Sequence, residues 1–142
     1  VGDSARGKDI YTGKCQVCHG ANGEGAVPPA PALWGEKSYS IGASMAREER
    51  AASFIKHNMP LNAPGSLTTQ EAYDVSRYIN SHPRPDSPGK EKDFPTGGAD
   101  KYTPYDTFGH EAYRPPFKLL PRKNVGGAAE VPQVIDPLTA NN

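Results

Sequence analysis

Apolar side chains recur at helical spacing in two stretches of the chain. Between residues 47 and 58, the spacing i, i+3, i+4 is met at Ala51, Phe54 and Ile55. Residues 68 to 81 repeat it at Ala72, Val75, Tyr78 and Ile79. Thr68 and Glu71 form a capping box at the start of this second stretch. The pattern therefore predicts two amphipathic helices, each with one apolar face.

A third helix is predicted over residues 3 to 14, where Asp3 or Ser4 can serve as the N-cap. Gly7 and Tyr11 lie four positions apart and therefore share a face. Because glycine carries no side chain, another helix can cross this face very closely, and the ring of Tyr11 can pack beside the crossing. The alternative is a flexible glycine in a weak helix. The predicted partners in the crossing are Val75 and Tyr78.

The chain changes character after His82. Ten of its 15 prolines fall within the last 60 residues, and no helical or strand period holds for long. Such a composition is typical of a solvated, disordered tail, but residues 94 to 121 contain too many large apolar side chains for a linker. We therefore predict a domain over residues 1 to 82 and an extension over residues 83 to 142. Residues 94 to 121 would wrap the domain as extended chain, and the end past Asn124 would be loose.

Charge and hydropathy argue against several classes of partner. The 142 residues carry 16 basic and 16 acidic side chains, so the formal net charge of zero gives no support for nucleic-acid or polybasic membrane binding. No apolar run approaches the roughly 20 residues that span a bilayer. Apolar side chains make up only 35% of the chain. The core is therefore thin, and a large buried cofactor would fill much of the deficit.

The strongest chemical signal is Cys15-Gln16-Val17-Cys18-His19, which has the C-x-x-C-H form of a c-type haem attachment site. Two thiols on one helical turn can each add to a vinyl group of the porphyrin, and the adjacent imidazole of His19 then becomes the fifth iron ligand. A zinc site would need two further ligands, and His57, His82 and His110 do not have the spacing to supply them. A redox dithiol or a half-used metal site is the alternative to one covalently attached haem c.

Residues 20 to 35 are predicted to form a loop along the haem, because three glycines are followed by three prolines. A ligating histidine needs an acceptor for its Nδ1–H, which fixes the ring and raises its basicity. We expect the backbone carbonyl of Pro31 to supply this acceptor. Leu33 and Trp34 would then form a wall of the haem pocket, although Trp34 suits an ordinary core position nearly as well.

The sixth iron ligand is predicted to be Met59. A residue before proline is displaced from the α region, so Met59 begins an extended segment just past a helix end, where its side chain can project towards a metal. A thioether suits haem iron and raises its reduction potential. The alternatives are Met59 as a core residue, Met45 or His57 as the ligand, or an open iron. Otherwise His57 is expected to face solvent, and His82 and His110 to lie at the surface or in loops.

The motifs over residues 3 to 82 together resemble the pattern of class I cytochromes c. The matching features are Gly7-x-x-x-Tyr11, the C-x-x-C-H motif, Pro31-x-Leu33-x-Gly35, a loop methionine and a terminal helix with Tyr78. Longer runs look like the second haem domain of thiosulfate dehydrogenases: residues 33–35, 40–47, 54–60, 64–75 and 79–85, and the tail 97–105. The resemblance implies an all-α fold of three to four helices around one haem, with His19 as the proximal and Met59 as the distal ligand.

In thiosulfate dehydrogenases, two haem domains oxidise thiosulfate to tetrathionate. The substrate is handled at the first haem, and the second haem passes the electrons on. The first haem domain and a third cysteine are missing here, so the resemblance carries over no catalytic residue. It favours a monohaem electron carrier in sulfur-compound oxidation, with redox proteins as electron donor and acceptor. Covalent haem attachment is expected outside the bacterial inner membrane, so we expect a periplasmic protein from which a leader was removed.

A second interpretation is a haem subunit or domain of a thiosulfate dehydrogenase or tetrathionate reductase with a displaceable sixth ligand. It requires cations near the iron to bind an anion, and the resemblance in position offers Arg47, Arg50 and Lys56. Charge on a helix surface is the commoner explanation for these three side chains. A third interpretation, a sensor of a diatomic gas or a structural haem module, has no specific support in the sequence.

Overall fold

A computed structural model describes residues 1–99, 103–105, 118–120 and 133–135. Four helices form the predicted domain: α1 (Ser4–Lys14), α2 (Gln16–His19), α3 (Glu48–Asn58) and α4 (Thr69–Asn80). Short 3₁₀ turns occupy Ser44–Ala46 and Lys90–Lys92. Two short strands in the extension pair antiparallel, β1 (Lys118–Leu120) with β2 (Gln133–Ile135). The all-α prediction is confirmed for the domain, and the strand pair is a local exception in the extension. No helix in the described ranges combines the length and the apolar character needed to cross a membrane.

Two helices begin with the caps that the sequence predicts. The side chain of Asp3 accepts a bond from the backbone N–H of Arg6 at 2.9 Å and so caps α1. Before α4, Thr68 Oγ1 accepts from the backbone N–H of Glu71 at 3.1 Å. The carboxylate of Glu71 in turn accepts from the backbone N–H of Thr68 at 2.7 Å. The capping box is therefore complete, and it fixes where the chain enters α4.

Helices α1 and α4 cross at Gly7. A Cβ atom built on Gly7 would clash with the backbone carbonyl oxygen of Asp74 and lie 2.9 Å from Cβ of Tyr78. The ring of Tyr11 packs beside the crossing, with its centroid 5.3 Å from that of Tyr78. The predicted crossing is confirmed, because the backbones approach more closely than a side chain at Gly7 would allow. Arg6 of α1 also links the two helices at the surface, where its Nε donates to Oδ2 of Asp74 in α4 at 2.9 Å.

The main core lies where α1, α3 and α4 meet. Its buried members are Tyr11, Ala51, Ala52, Ile55, Leu67, Ala72, Val75, Tyr78 and Ile79. The prediction is wrong for Phe54, which is 46% exposed. Successive side chains of an α-helix are rotated by about 100° about its axis. Since Ile55 points into the core together with the two alanines, Phe54 is turned sideways to the surface.

Within the described residues, two ion pairs are buried. Glu48 at the start of α3 pairs with Arg77 of α4, with 2.8 Å between Oε2 and Nη2. In the extension, Lys90 Nζ lies 2.6 Å from Asp86 Oδ1, and both side chains are fully buried. Because a buried charge tolerates little displacement from its partner, these pairs fix α3 on α4 and hold residues 86–90 in one conformation.

Part of the extension packs against the domain. Tyr105 is buried against Ile41, and Phe94 packs beside these two side chains. The wrap of residues 94–121 around the domain stays a prediction. Residues 100–102, 106–117 and 121 of this segment lie outside the described residues, and so does His110. The division of the chain at residue 82 remains a prediction.

Candidate haem-binding site

Cys15 and Cys18 lie at the two ends of a single helical turn. The backbone N–H of Cys15 donates to the carbonyl of Tyr11 at 2.9 Å, and that of His19 donates to the carbonyl of Cys15 at 3.0 Å. The end of α1 therefore leads directly into the motif. Both cysteines are free thiols, Cys18 exposed and Cys15 partly buried. Burial raises the pKa of Cys15 to about 11, so this thiol is protonated and uncharged at neutral pH.

His19 is oriented by the loop that follows it. Its Nδ1 lies 2.9 Å from the carbonyl oxygen of Pro31, the acceptor that the sequence predicts. A carbonyl can only accept a hydrogen bond, so Nδ1 carries the proton and donates it. The other ring nitrogen, Nε2, therefore keeps its lone pair for a metal. This tautomer is the one that an axial ligand requires.

The loop over residues 20–35 is tied to the motif by several backbone contacts. The bonds are Gly25 N–H to His19 O (2.8 Å), Val27 N–H to Cys18 O (3.0 Å) and the Tyr11 hydroxyl to Gly20 O (2.7 Å). Gly20, Gly23 and Gly25 have φ angles of 87°, 60° and 78°, which glycine adopts without strain. The glycines therefore let the chain fold back on α2, and this return brings Pro31 to the imidazole.

Trp34 packs against the aromatic rings of Tyr11, Tyr78 and His82. Its ring stacks on His82 with centroids 3.9 Å apart and lies 5.2 Å from the ring of Tyr11. These contacts are those of a core residue, the alternative that the sequence leaves open for this side chain. Leu33 is partly buried against the main core. A role for Leu33 and Trp34 as a wall of the haem pocket remains a prediction.

The expected surface position of His82 is wrong. Its side chain is 4% exposed, and its Nδ1 lies 2.7 Å from the carbonyl of Tyr78, to which it donates. Burial lowers the pKa of His82 to about 4, so the ring is neutral at physiological pH. His57, in contrast, is exposed on α3 as expected, with Nδ1 2.8 Å from the carbonyl of Ser53.

Met59 stands at the end of α3, where the helical backbone stops. Its N–H donates to the carbonyl of Ile55 at 2.9 Å, while its own φ and ψ of −120° and 152° are extended. The change of direction is the one predicted for a residue before proline. The side chains of Met59 and Met45 are both partly buried and pack against the main core. The packing of the two side chains therefore does not decide which thioether serves as the iron ligand.

The cations considered for an anion site do not gather around Met59. Arg47 is buried, and its Nη1 donates to the carbonyl of Ala43 at 2.8 Å. Together with Arg50 it lines an open cavity of about 510 Å³ at the start of α3. Because an α-helix rises about 1.5 Å per residue, this end of α3 lies about 18 Å from Met59. Only Lys56 is near the end of the helix that leads into Met59, and its Nζ donates to a loop carbonyl at 3.3 Å.

The donor set fits a covalently attached haem. Two free thiols stand three positions apart, one imidazole presents Nε2, and a thioether follows α3. Cys15 and Leu33, from the haem motif and the loop after it, and Met59, after α3, are partly buried and pack against the main core. In a c-type haem protein, the thiols would form the thioether bonds, the imidazole and the thioether would ligate the iron, and the apolar side chains would contact the porphyrin. In the described residues, no three His, Cys, Asp or Glu side chains are grouped to hold a bare metal ion.

Comparison with known families agrees with this donor set. A family model described as cytochrome c matches residues 4–83, more than half of the chain. The chain belongs to the cytochrome c family. As a class I cytochrome c, it carries a covalently bound c-type haem with its iron.

This cytochrome is similar to several thiosulfate dehydrogenases. It is 48% identical over 100 residues to that of Psychrobacter arcticus, a match that covers 67% of this chain and 31% of the relative. With that of Allochromatium vinosum the identity is 44% over 88 residues, covering 58% and 33%. A solved thiosulfate dehydrogenase from Marichromatium purpuratum superimposes with a TM-score of 0.58 at 42% identity, covering 70% of this chain and 23% of that chain. The chain thus spans about a third of the length of the curated relatives it matches.

One side chain of the site escaped sequence reasoning. Arg84 is 4% exposed, and its Nη1 donates to the carbonyl of Leu33 at 3.1 Å. In the sequence it stands between two prolines, a pattern typical of an exposed loop. Its partners lie far away along the chain, and a contact of that kind leaves no local pattern.

Proposed function

We propose that this cytochrome is a periplasmic, monohaem protein that transfers single electrons during the oxidation of sulfur compounds such as thiosulfate. The observation that carries the proposal is the contact between His19 Nδ1 and the Pro31 carbonyl beside two free thiols. A loop that holds one imidazole in a single orientation fixes one ligand of the iron, and a thioether from Met59 would occupy the other position. Such an iron suits electron transfer better than the binding of a substrate.

In this proposal, Cys15 and Cys18 hold the haem through thioether bonds, and His19 ligates the iron through Nε2. Met59 would supply a thioether ligand, since its backbone is extended directly after the end of α3. A haem with imidazole and thioether ligands supplies reversible one-electron transfer at a raised potential. With His19 and Met59 both held as ligands, the chain itself would exclude water and substrates from the iron.

Exposed apolar side chains next to these residues offer a docking surface for redox partners. Val17, between the two cysteines, and Leu61, two positions after Met59, are each 75% exposed. Val27, whose N–H bonds to the carbonyl of Cys18, is 49% exposed. Electron donors and acceptors need only brief contact, for which a small interface is sufficient. We propose that partner proteins contact these exposed apolar side chains.

The pathway and the location rest on family relations. The relatives with 43% to 48% identity are named thiosulfate dehydrogenases, so we propose that the electrons come from thiosulfate oxidation. Covalent haem attachment takes place outside the inner membrane of bacteria, which supports a periplasmic location. These two statements describe the setting of the protein and are independent of its ligand geometry.

The optical spectrum of the purified ferric protein, scanned into the far red, tests the proposal. We expect a low-spin Soret band and a weak sulfur-to-iron charge-transfer band, because both axial positions are taken by the chain. A high-spin spectrum without that band would mean that a position on the iron is open. The carrier proposal would then be wrong, and binding of substrates and gases would be examined instead.

The same relatives favour a second candidate, a haem subunit or domain of a thiosulfate dehydrogenase or tetrathionate reductase. Here, too, the haem passes electrons, but the sixth ligand is displaceable. Turnover of tetrathionate by the purified chain with an artificial electron donor would support this candidate. Absence of turnover, with the low-spin spectrum described above, would support a carrier.

A further inference from the structure

The buried Arg84, at the start of the extension, joins three parts of the molecule. Its Nη1 donates to the carbonyl of Leu33 at 3.1 Å, and its Nη2 donates to the carbonyl of Ile79 at 3.2 Å and to Asn80 Oδ1 at 2.9 Å. The guanidinium also lies over the ring of Tyr39, 4.0 Å from its centroid. One side chain therefore connects the loop after the haem motif, the end of α4 and the extension.

Three consecutive residues of the chain contact three consecutive residues of that loop. The ring of His82 stacks on Trp34, the carbonyl of Pro83 accepts from the N–H of Gly35 at 2.8 Å, and Arg84 donates to Leu33. The loop segment begins at Pro31, only two residues before Leu33. Residues 82–84 thus hold the segment whose first carbonyl accepts the proton of His19 Nδ1.

Stability alone is a poor explanation for an arginine at this position. Within the described residues Arg84 has no carboxylate partner, and burial lowers its pKa. A buried charge carries a desolvation cost that a well-packed apolar side chain would avoid. What a guanidinium offers instead is several donors in a rigid plane, which fix the direction of several acceptors at once.

We propose that Arg84 is a positioning residue for the axial imidazole: it fixes residues 31–35 so that the Pro31 carbonyl stays in line with His19 Nδ1. This inference rests on the proposed role of His19 as an iron ligand. The Nδ1–H···O bond raises the basicity of the imidazole and so favours the ferric state. Loosening the segment weakens that bond, and the midpoint potential should rise.

Arg84→Lys in the haem-loaded protein tests the proposal, because lysine keeps the positive charge and loses the planar fork. We expect two results: a higher midpoint potential, and exchange of the His19 Nδ1 proton that is about tenfold faster by NMR, as expected when a single hydrogen bond weakens. The matched control is Arg77→Lys, the same change at another buried arginine, whose guanidinium pairs with Glu48. Arg77→Lys should lower the stability of the protein and leave the midpoint potential and the exchange rate of the His19 Nδ1 proton unchanged.

Unchanged exchange and potential in Arg84→Lys would overturn the proposal, as would equal shifts in the control. If Arg84→Lys does not fold, Tyr39→Leu answers the same question. It removes the ring beneath the guanidinium and keeps the carbonyl and amide acceptors of Arg84. The same two shifts, smaller in size, would support the proposal, and their absence would overturn it. The spectrum of the unmodified protein reports separately whether His19 ligates the iron.

Discussion

The rings of Trp34 and His82 stack with centroids 3.9 Å apart and planes inclined by only 13°. One ring belongs to the loop after the haem motif and the other to the end of the α4 segment, so the stack closes the loop over the crossing of α1 and α4. Both rings stand nearly perpendicular to that of Tyr78, with 5.8 and 4.7 Å between centroids. A neutral His82 is part of this packing, and its protonation therefore opposes the folded state.

The stability of the protein should fall in acid because of His82. Its pKa is about 4 in the folded protein, against the usual 6.5. Between these values the unfolded chain binds the additional proton, so the free energy of unfolding rises with pH from about 4 to about 6.5. The loss below this window is on the order of 3 kcal/mol for His82 alone. Urea unfolding followed at several pH values measures it.

His82→Phe is the control for this acid effect, because phenylalanine keeps the stacked ring and cannot be protonated. Its free energy of unfolding should depend less on pH between 4 and 6.5 than that of the unmodified protein. Equal pH slopes for the two proteins would show that other groups cause the acid loss.

Gly7→Ala should disrupt the crossing of α1 and α4. The added methyl group would meet the carbonyl oxygen of Asp74, a backbone atom that cannot move without displacing α4. Overpacking typically costs about 1 to 3 kcal/mol, and a backbone clash puts this variant at or above the upper end. The matched control is Gly13→Ala in the same helix, where nothing lies within 4 Å of the new Cβ atom.

Gly13→Ala should stabilise the protein by roughly 0.5 kcal/mol, since alanine is the better helix former. Thermal unfolding of both variants decides between packing and helix propensity. If Gly7→Ala also stabilises, the close approach of the two backbones is incorrect.

Local signals in the sequence were sufficient for most of the helices. The capping box of Thr68 and Glu71, the glycine at position 7 and the helix that ends at Asn58 are each specified within one or two helical turns, and each is present. The loop contact of Pro31 could also be predicted, because a ligating histidine needs an acceptor and prolines make the nearby chain rigid.

Contacts between residues far apart in the chain could not be predicted from the sequence, for a physical reason. Arg84 and Leu33 are 51 positions apart, and Trp34 and His82 are 48 apart. Neither periodicity nor composition reports on such pairs. Phe54 was misplaced for a related reason: an apolar residue at helical spacing can lie on either border of the buried face, and only packing against α4 decides which border turns inward.

Lys90→Met should destabilise the protein strongly. The Asp86 carboxylate would remain in a fully buried place without the ammonium group that lies 2.6 Å away, retaining the backbone N–H of Ser87 as a donor. Breaking a buried ion pair in this way costs about 3 to 5 kcal/mol. Unfolding in urea gives the value.

Adding Asp86→Leu to Lys90→Met should recover much of the loss, because both charges are then replaced by apolar groups. A double variant whose loss equals the sum of the losses in Lys90→Met and Asp86→Leu alone would mean that the two side chains contribute independently. It would also mean that the pair does not determine how residues 86–90 pack.

Met59→Ala should lower the midpoint potential and abolish the far-red charge-transfer band. A thioether favours the ferrous state, and axial ligands shift haem potentials over about 0.8 V; a fall of roughly 0.1 V or more is therefore expected. Met45→Ala is the matched control, since its side chain is also partly buried against the main core. It should keep the band and the potential. If the band persists in Met59→Ala and disappears in Met45→Ala, the sulfur ligand is Met45, and the end of α3 serves only to pack the core.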